Sequence, residues 1–137
     1  MTISVFARNL ALAAIASVAV LAVPAPAQAP QFAMLDKIQK GQWTLSERGR
    51  SKTPEKLCVR DPRTLLQLRH KEAQCSFFVI KNTASEVTVS YRCPSGGNGR
   101  TTVKYEDDGL LQIDSQGIVD NGPFAFAVEA RYAGSCR

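Results

Sequence analysis

From Cys75 onward the chain alternates apolar with polar residues. Val87, Val89 and Tyr91 interleave with Thr88, Ser90 and Arg92, and Thr101, Val103 and Tyr105 with Thr102, Lys104 and Glu106. Near the end, Phe124, Phe126, Val128, Ala130 and Tyr132 interleave with Ala125, Ala127, Glu129 and Arg131. A period of two sends successive side chains to opposite faces of a strand. Each strand therefore has one face to bury and one to wet, which suits antiparallel pairing. The pattern predicts strands over 76–81, 85–92, 101–106, 110–115 and 124–132. Asp107-Asp108-Gly109 and Asn121-Gly122 mark tight turns, and Pro94-Ser95-Gly96-Gly97-Asn98-Gly99 marks a loop.

The region before Cys75 is more mixed. Trp43 and Leu45 share one side of an alternating run over 41–48, which predicts a first strand. A basic loop over 49–54 leads to a short extended piece over 56–59. Asp61 followed by Pro62 reads as an N-cap with proline in the first helical position, predicting a helix over 63–70. A shorter helix is expected over 32–38.

The first 29 residues read as a cleavable leader. Arg8 gives a weakly positive start, residues 10–23 are apolar and uncharged, and Pro24 to Ala29 are small. The apolar run is short for a membrane span, so the plan is that of a signal peptide cut after Ala27 or after Ala29. Residues 30–137 then form a single disulfide-stapled β-rich domain, with no transmembrane anchor after cleavage. The expected compartment is the periplasm, or the exterior, reached by a Sec-type signal peptide.

All four cysteines, Cys58, Cys75, Cys93 and Cys136, follow the leader, and none forms a Cys-x-x-Cys pair. That spacing suits neither zinc nor dithiol redox chemistry, whereas an even count after a leader suits two structural disulfides. A hairpin centred on Ala84 sets Phe77 opposite Tyr91 and Val79 opposite Val89. The same register sets Cys75 opposite Cys93 and leaves Cys58 for Cys136 at the other end of the sheet. By loop-closure entropy the two links are worth roughly 3 and 4.5 kcal/mol respectively, so losing the second costs more. The sequential pairing Cys58–Cys75 with Cys93–Cys136 is the alternative.

Several segments together resemble a known family. They are Gly41-Gln42-Trp43, then Glu55-Lys56-Leu57-Cys58 ahead of a short helix, then Cys75 and Cys93 bracketing a hairpin. The Gly-rich loop and the ending Arg131-Tyr132-Ala133-Gly134-Ser135-Cys136 complete the set. The chain from about residue 40 onward resembles the small exported bacterial proteins of the domain of unknown function 3617 family. The resemblance implies periplasmic residence and carries over no catalytic residue.

Chemistry-bearing residues are sparse. His70 is the only histidine, placed between Arg69 and Lys71 at the predicted helix end, where the macrodipole favours a cation. It is expected to be exposed and dispensable. Ser95 has no Gly-x-Ser-x-Gly setting and reads as loop. Glu106, Asp107 and Asp108 cluster at a turn without the further oxygen ligands of a Ca²⁺ cage. The Gly96–Gly99 loop has no following helix to make a phosphate cradle. No catalytic, cofactor-binding or metal-ligating residue is therefore expected.

Charge is mildly positive, 17 basic against 12 acidic residues over the whole chain, of which Arg8 belongs to the leader. That is short of a nucleic-acid signature, so no nucleic-acid partner is expected. Arg48, Arg50, Lys52, Lys56, Arg60 and Arg63 form a basic stretch, the candidate contact for an anionic envelope component. An aromatic row of Phe124, Phe126, Tyr132, Trp43, Phe77 and Tyr91 packs a core or, if the sheet curls, lines a space for an apolar ligand.

The expected fold is β-rich α+β: a curved antiparallel meander of six or seven strands with one short helix, stapled by two disulfides. The expected role is that of a non-enzymatic periplasmic binding or structural module. An inhibitor or accessory of an envelope enzyme is the alternative, and a hydrolase or isomerase with an unrecognised site comes third.

Overall fold

The computed structural model describes residues 30–71 and 73–137. The expected leader and its cleavage site fall outside them. Seven strands run in chain order: β1 (Gly41–Glu47), β2 (Glu55–Val59), β3 (Ser76–Asn82), β4 (Glu86–Arg92), β5 (Asn98–Asp107), β6 (Leu110–Val119) and β7 (Gly122–Tyr132). They form one antiparallel sheet in the order β2-β1-β7-β6-β5-β4-β3. Strands β3 to β7 are the expected meander. β1 then pairs with β7, Trp43 opposite Tyr132 and Leu45 opposite Ala130, and leaves β2 and β3 as the two edges.

The alternation of the sequence is the alternation of burial. Val87, Val89, Val103, Leu111, Ile113, Ala130 and Trp43 are fully buried on one face. Ser90, Arg92, Arg100, Lys104, Asp114 and Gln116 point the other way and are exposed. Burying each Val or Leu is worth about 1.5–3 kcal/mol, which outweighs the cost of ordering its side chain.

The chain from β2 to β3 must cross from one edge to the other, and it does so over the apolar face as a 3-10 segment, Pro62–His70. Asp61 caps its start, the carboxylate accepting from the Arg63 N–H at 2.9 Å. The expected single helix is broken at Gln67, whose φ of −139° and ψ of 45° are non-helical. Gln67 is buried and its amide donates to the carbonyls of His70 and Ala73, both at 2.6 Å. These bonds replace helix-end hydrogen bonds, and the break lets Leu65, Leu66 and Leu68 all turn inward. The segment before β1 is likewise reduced from a helix over 32–38 to one 3-10 turn, Leu35–Lys37. Phe32, Met34, Leu35 and Ile38 still join the core.

Both disulfides follow the hairpin register. Phe77 faces Tyr91 and Val79 faces Val89, and Cys75 joins Cys93 just beyond, with Cα atoms 4.1 Å apart. A bulge between Val79 and Lys81 shifts the register by one toward the turn. Cys58 joins Cys136 at the opposite end, with Cα atoms 5.5 Å apart. The tail beyond β7 reaches β2 by passing over the start of β1, where Gln42 exchanges hydrogen bonds with Gly134 and Ala133, both at 2.7 Å. A Cβ on Gly41 would collide with the Gly134 carbonyl oxygen, so only glycine admits this crossing.

Candidate functional site

The 3-10 segment packs over β2, β5 and β6 and leaves a recess in the apolar face beside β1 and β7. The opening is a cleft of about 340 Å³. Leu45 of β1, Leu68 of the 3-10 segment, and Phe126 and Val128 of β7 supply its apolar walls. Glu47, Lys52, Glu55, Arg69 and Lys71 form a charged rim. The sheet places the wall residues because positions 45, 126 and 128 share its apolar face. The basic loop between β1 and β2 forms the outer lip.

The rim charges are unequally matched. Lys71 pairs with Glu55 at 2.7 Å, and Arg50, on the same loop, takes Glu47 at 3.2 Å. Lys52 and Arg69 have no salt-bridge partner among the described residues. Arg69 lies over the Phe126 ring, its guanidinium carbon 5.0 Å from the centroid, which fixes the cation directly above the apolar wall. An apolar slot of this size with unmatched cations at its mouth suits a ligand with a hydrocarbon body and an anionic head.

Beside the cleft, His70 is tucked into the sheet rather than exposed. Its Nδ1 lies 3.1 Å from the Tyr91 hydroxyl, and its ring packs edge-on against Tyr91 and near Phe124. Its Nε2 is buried against Gly97, where any Cβ would collide with it. Gly99 makes the same room for the Tyr91 hydroxyl, since a Cβ there would stand 2.5 Å from that oxygen. The glycines of this loop therefore serve as sockets for two side chains. Burial holds the Tyr91 hydroxyl above its ordinary value, an effect partly offset by the neighbouring Ser115 hydroxyl. Ser115 in turn meets the Thr101 hydroxyl at 2.7 Å. The His70–Tyr91 contact ties the end of the 3-10 segment to β4.

The six residues of the basic stretch separate in space. Arg48, Arg50 and Lys52 stand at the loop end of β1, while Lys56 lies within β2, opposite Thr44. Arg60 follows β2 at the far end. Arg63 is turned back to the Pro30 carbonyl at 2.6 Å and over the Phe32 ring. Of the aromatic row, Phe126 lines the cleft, Trp43 is fully buried against Tyr132, and Phe77 packs on Tyr91. At the acidic turn, Asp107 accepts from the Gly109 N–H at 2.8 Å and Asp108 from the Tyr105 hydroxyl. Arg69 and Phe126 are the pair the sequence left unjoined. One comes from a helix end and the other from a distant strand, and no local pattern links them.

Among the described residues no three His, Cys, Asp or Glu side chains gather as a metal site would require, and no helix is long and apolar enough to cross a membrane. No protein-family model, no curated protein and no solved structure matches the chain.

Proposed function

We propose that the domain is a non-enzymatic binding module of the bacterial periplasm, and that it takes a small amphipathic anion in the cleft between β1, β7 and the helix end. The observation that carries this reading is Arg69, without a carboxylate partner among the described residues, stacked on Phe126 at the mouth of an apolar slot. Apolar walls provide affinity, and two unmatched cations choose the sign of the head group. The two disulfides are compatible with an oxidising compartment. Kinship with the domain of unknown function 3617 family, a leader removed on export, and a sheet that curls around its ligand belong to the same proposal.

Titration with dodecanoate, followed by amide chemical shifts, tests it. Shifts are expected to concentrate at Leu45, Arg69, Phe126 and Val128, with dodecanol binding more weakly. Arg69→Glu should weaken dodecanoate and leave dodecanol nearly unchanged. Absence of saturable shifts around the cleft overturns the reading. Saturable capture of an envelope enzyme through the β1–β2 loop, with the cleft silent, would replace it with the inhibitor role.

A further inference from the structure

The cleft uses the covered face of the sheet. The opposite face carries no element above it among the described residues, and its composition is not neutral. Register brings Ala125, Gln116, Arg100, Ser90 and Phe78 into one row across β7, β6, β5, β4 and β3. Arg92 and Ile118 lie in the adjoining row, joined through Asn98.

Two features of this face coincide. The first is a depression of about 460 Å³ beside Ala125 and Ala127, lined by Arg48, Arg50 and Arg100 and by two carboxylates, Asp114 and Glu47, which pair with Arg48 and Arg50. Arg48 is carried in by its backbone N–H, which donates to the Ala127 carbonyl at 2.8 Å. Arg100 reaches the depression from β5. The second feature is exposed apolar surface at the β3 edge, where Phe78 is 73% and Ile80 43% accessible.

The balance of charge indicates what the face meets. Asp114 is engaged by Arg48 at 2.6 Å, Glu129 by Arg131 at 2.7 Å and Glu86 by Lys81 at 3.0 Å. Arg92, Arg100 and Lys104 have no salt-bridge partner among the described residues. A second copy would set this positive surface against itself, which disfavours self-pairing through the face. Guanidinium groups offer paired donors that match phosphate oxygens, and an exposed phenyl ring gains by leaving water.

We propose that the open face docks on an anionic bilayer. A phospholipid phosphate sits against Arg100, since Arg48 and Arg50 are held by Asp114 and Glu47, while Arg92 and Lys104 add to the attraction and Phe78 enters the headgroup layer. Glu47 and Phe126 line both the cleft and the depression, but Arg92, Arg100, Lys104 and Phe78 do not line the cleft, so variants at these four residues test the docking alone.

Co-sedimentation with vesicles tests the docking. The protein is purified after export and its mass read, so that an uncleaved leader is not mistaken for surface binding. Partition onto phosphatidylcholine vesicles containing phosphatidylglycerol should far exceed that onto phosphatidylcholine alone, and should fall as salt rises. Arg92→Ser with Arg100→Ser should lower it by roughly fivefold per arginine. Phe78→Ser should lower it at every salt concentration without changing the salt slope. Unchanged melting and an unchanged dodecanoate titration show that these variants remain folded. Equal partition onto both vesicle types, or no effect of the double arginine variant, overturns the proposal. So does saturable binding of inorganic phosphate in the depression without vesicle binding, which would make it a site for a free anion. Self-association abolished by Phe78→Ser, with vesicles ignored, would make the face a protein interface and end the proposal as well.

Discussion

The two faces of the sheet are built from the same strands and share every backbone hydrogen bond, yet they differ in kind. On the covered face Trp43, Val87, Val89, Leu111 and Ile113 are sealed from water in one core with Leu65, Leu66 and Leu68 of the 3-10 segment. On the open face the corresponding positions hold Arg92, Arg100, Lys104, Asp114 and Gln116. Hydrogen bonding cannot distinguish the faces, because both belong to one ladder. Stability is therefore concentrated on the covered face by packing, while the open face is free to carry charge for recognition at little energetic cost.

The contrast is steepest for core truncation. Leu111→Ala removes a fully buried side chain and should cost about 2–5 kcal/mol, read from urea unfolding midpoints with an unchanged slope. A loss below about 1 kcal/mol would mean that the helical cover is not packed against β6. Next in size is the Gly97 socket. Gly97→Ala drives a methyl group into the His70 ring and should cost about 1–3 kcal/mol. His70→Ala vacates that space, so the double variant should lose distinctly less than the two single losses added together. Additive losses would show that His70 does not occupy the socket.

The alkaline limb of stability separates the faces by titration. Burial favours the neutral Tyr91 hydroxyl, so its folded value lies above its unfolded one. Tyr91's contribution is whole below the unfolded value, about 10, and is lost as the pH rises through the folded value. Stability measured upward from neutrality should fall more gently in Tyr91→Phe than in the parent. A parallel fall in both would show that Tyr91 is not shielded.

The smallest effects belong to the open face. Asp114→Asn breaks an exposed pair with Arg48 and should change stability by less than about 1 kcal/mol. Phe78→Ser should stay within about 0.5 kcal/mol, although it removes an aromatic ring. A large loss from Phe78→Ser would mean that the open face is covered after all, and would dissolve the comparison.

Sequence alone determined the parts governed by local period and burial. Alternation marked the strands and their inward residues, turn chemistry marked Asp107-Asp108-Gly109 and Asn121-Gly122, and one buried register paired Cys75 with Cys93, leaving Cys58 for Cys136. These are legible because neighbours within a hairpin are close in the chain, and a one-residue slip would expose an apolar row. Tertiary structure alone decided that β1 lies against β7, that the helical segment breaks at Gln67, and that His70 is seated on Gly97. It also divided the basic stretch, sending Arg63 to Phe32 and gathering Arg48 and Arg50 with Arg100, while Arg69 met Phe126 over the cleft. Those meetings join residues far apart in the chain, and they depend on side-chain reach and on which edge the crossing segment spans. No periodicity records either, because both arise only when the sheet has closed its order and the 3-10 segment has crossed it.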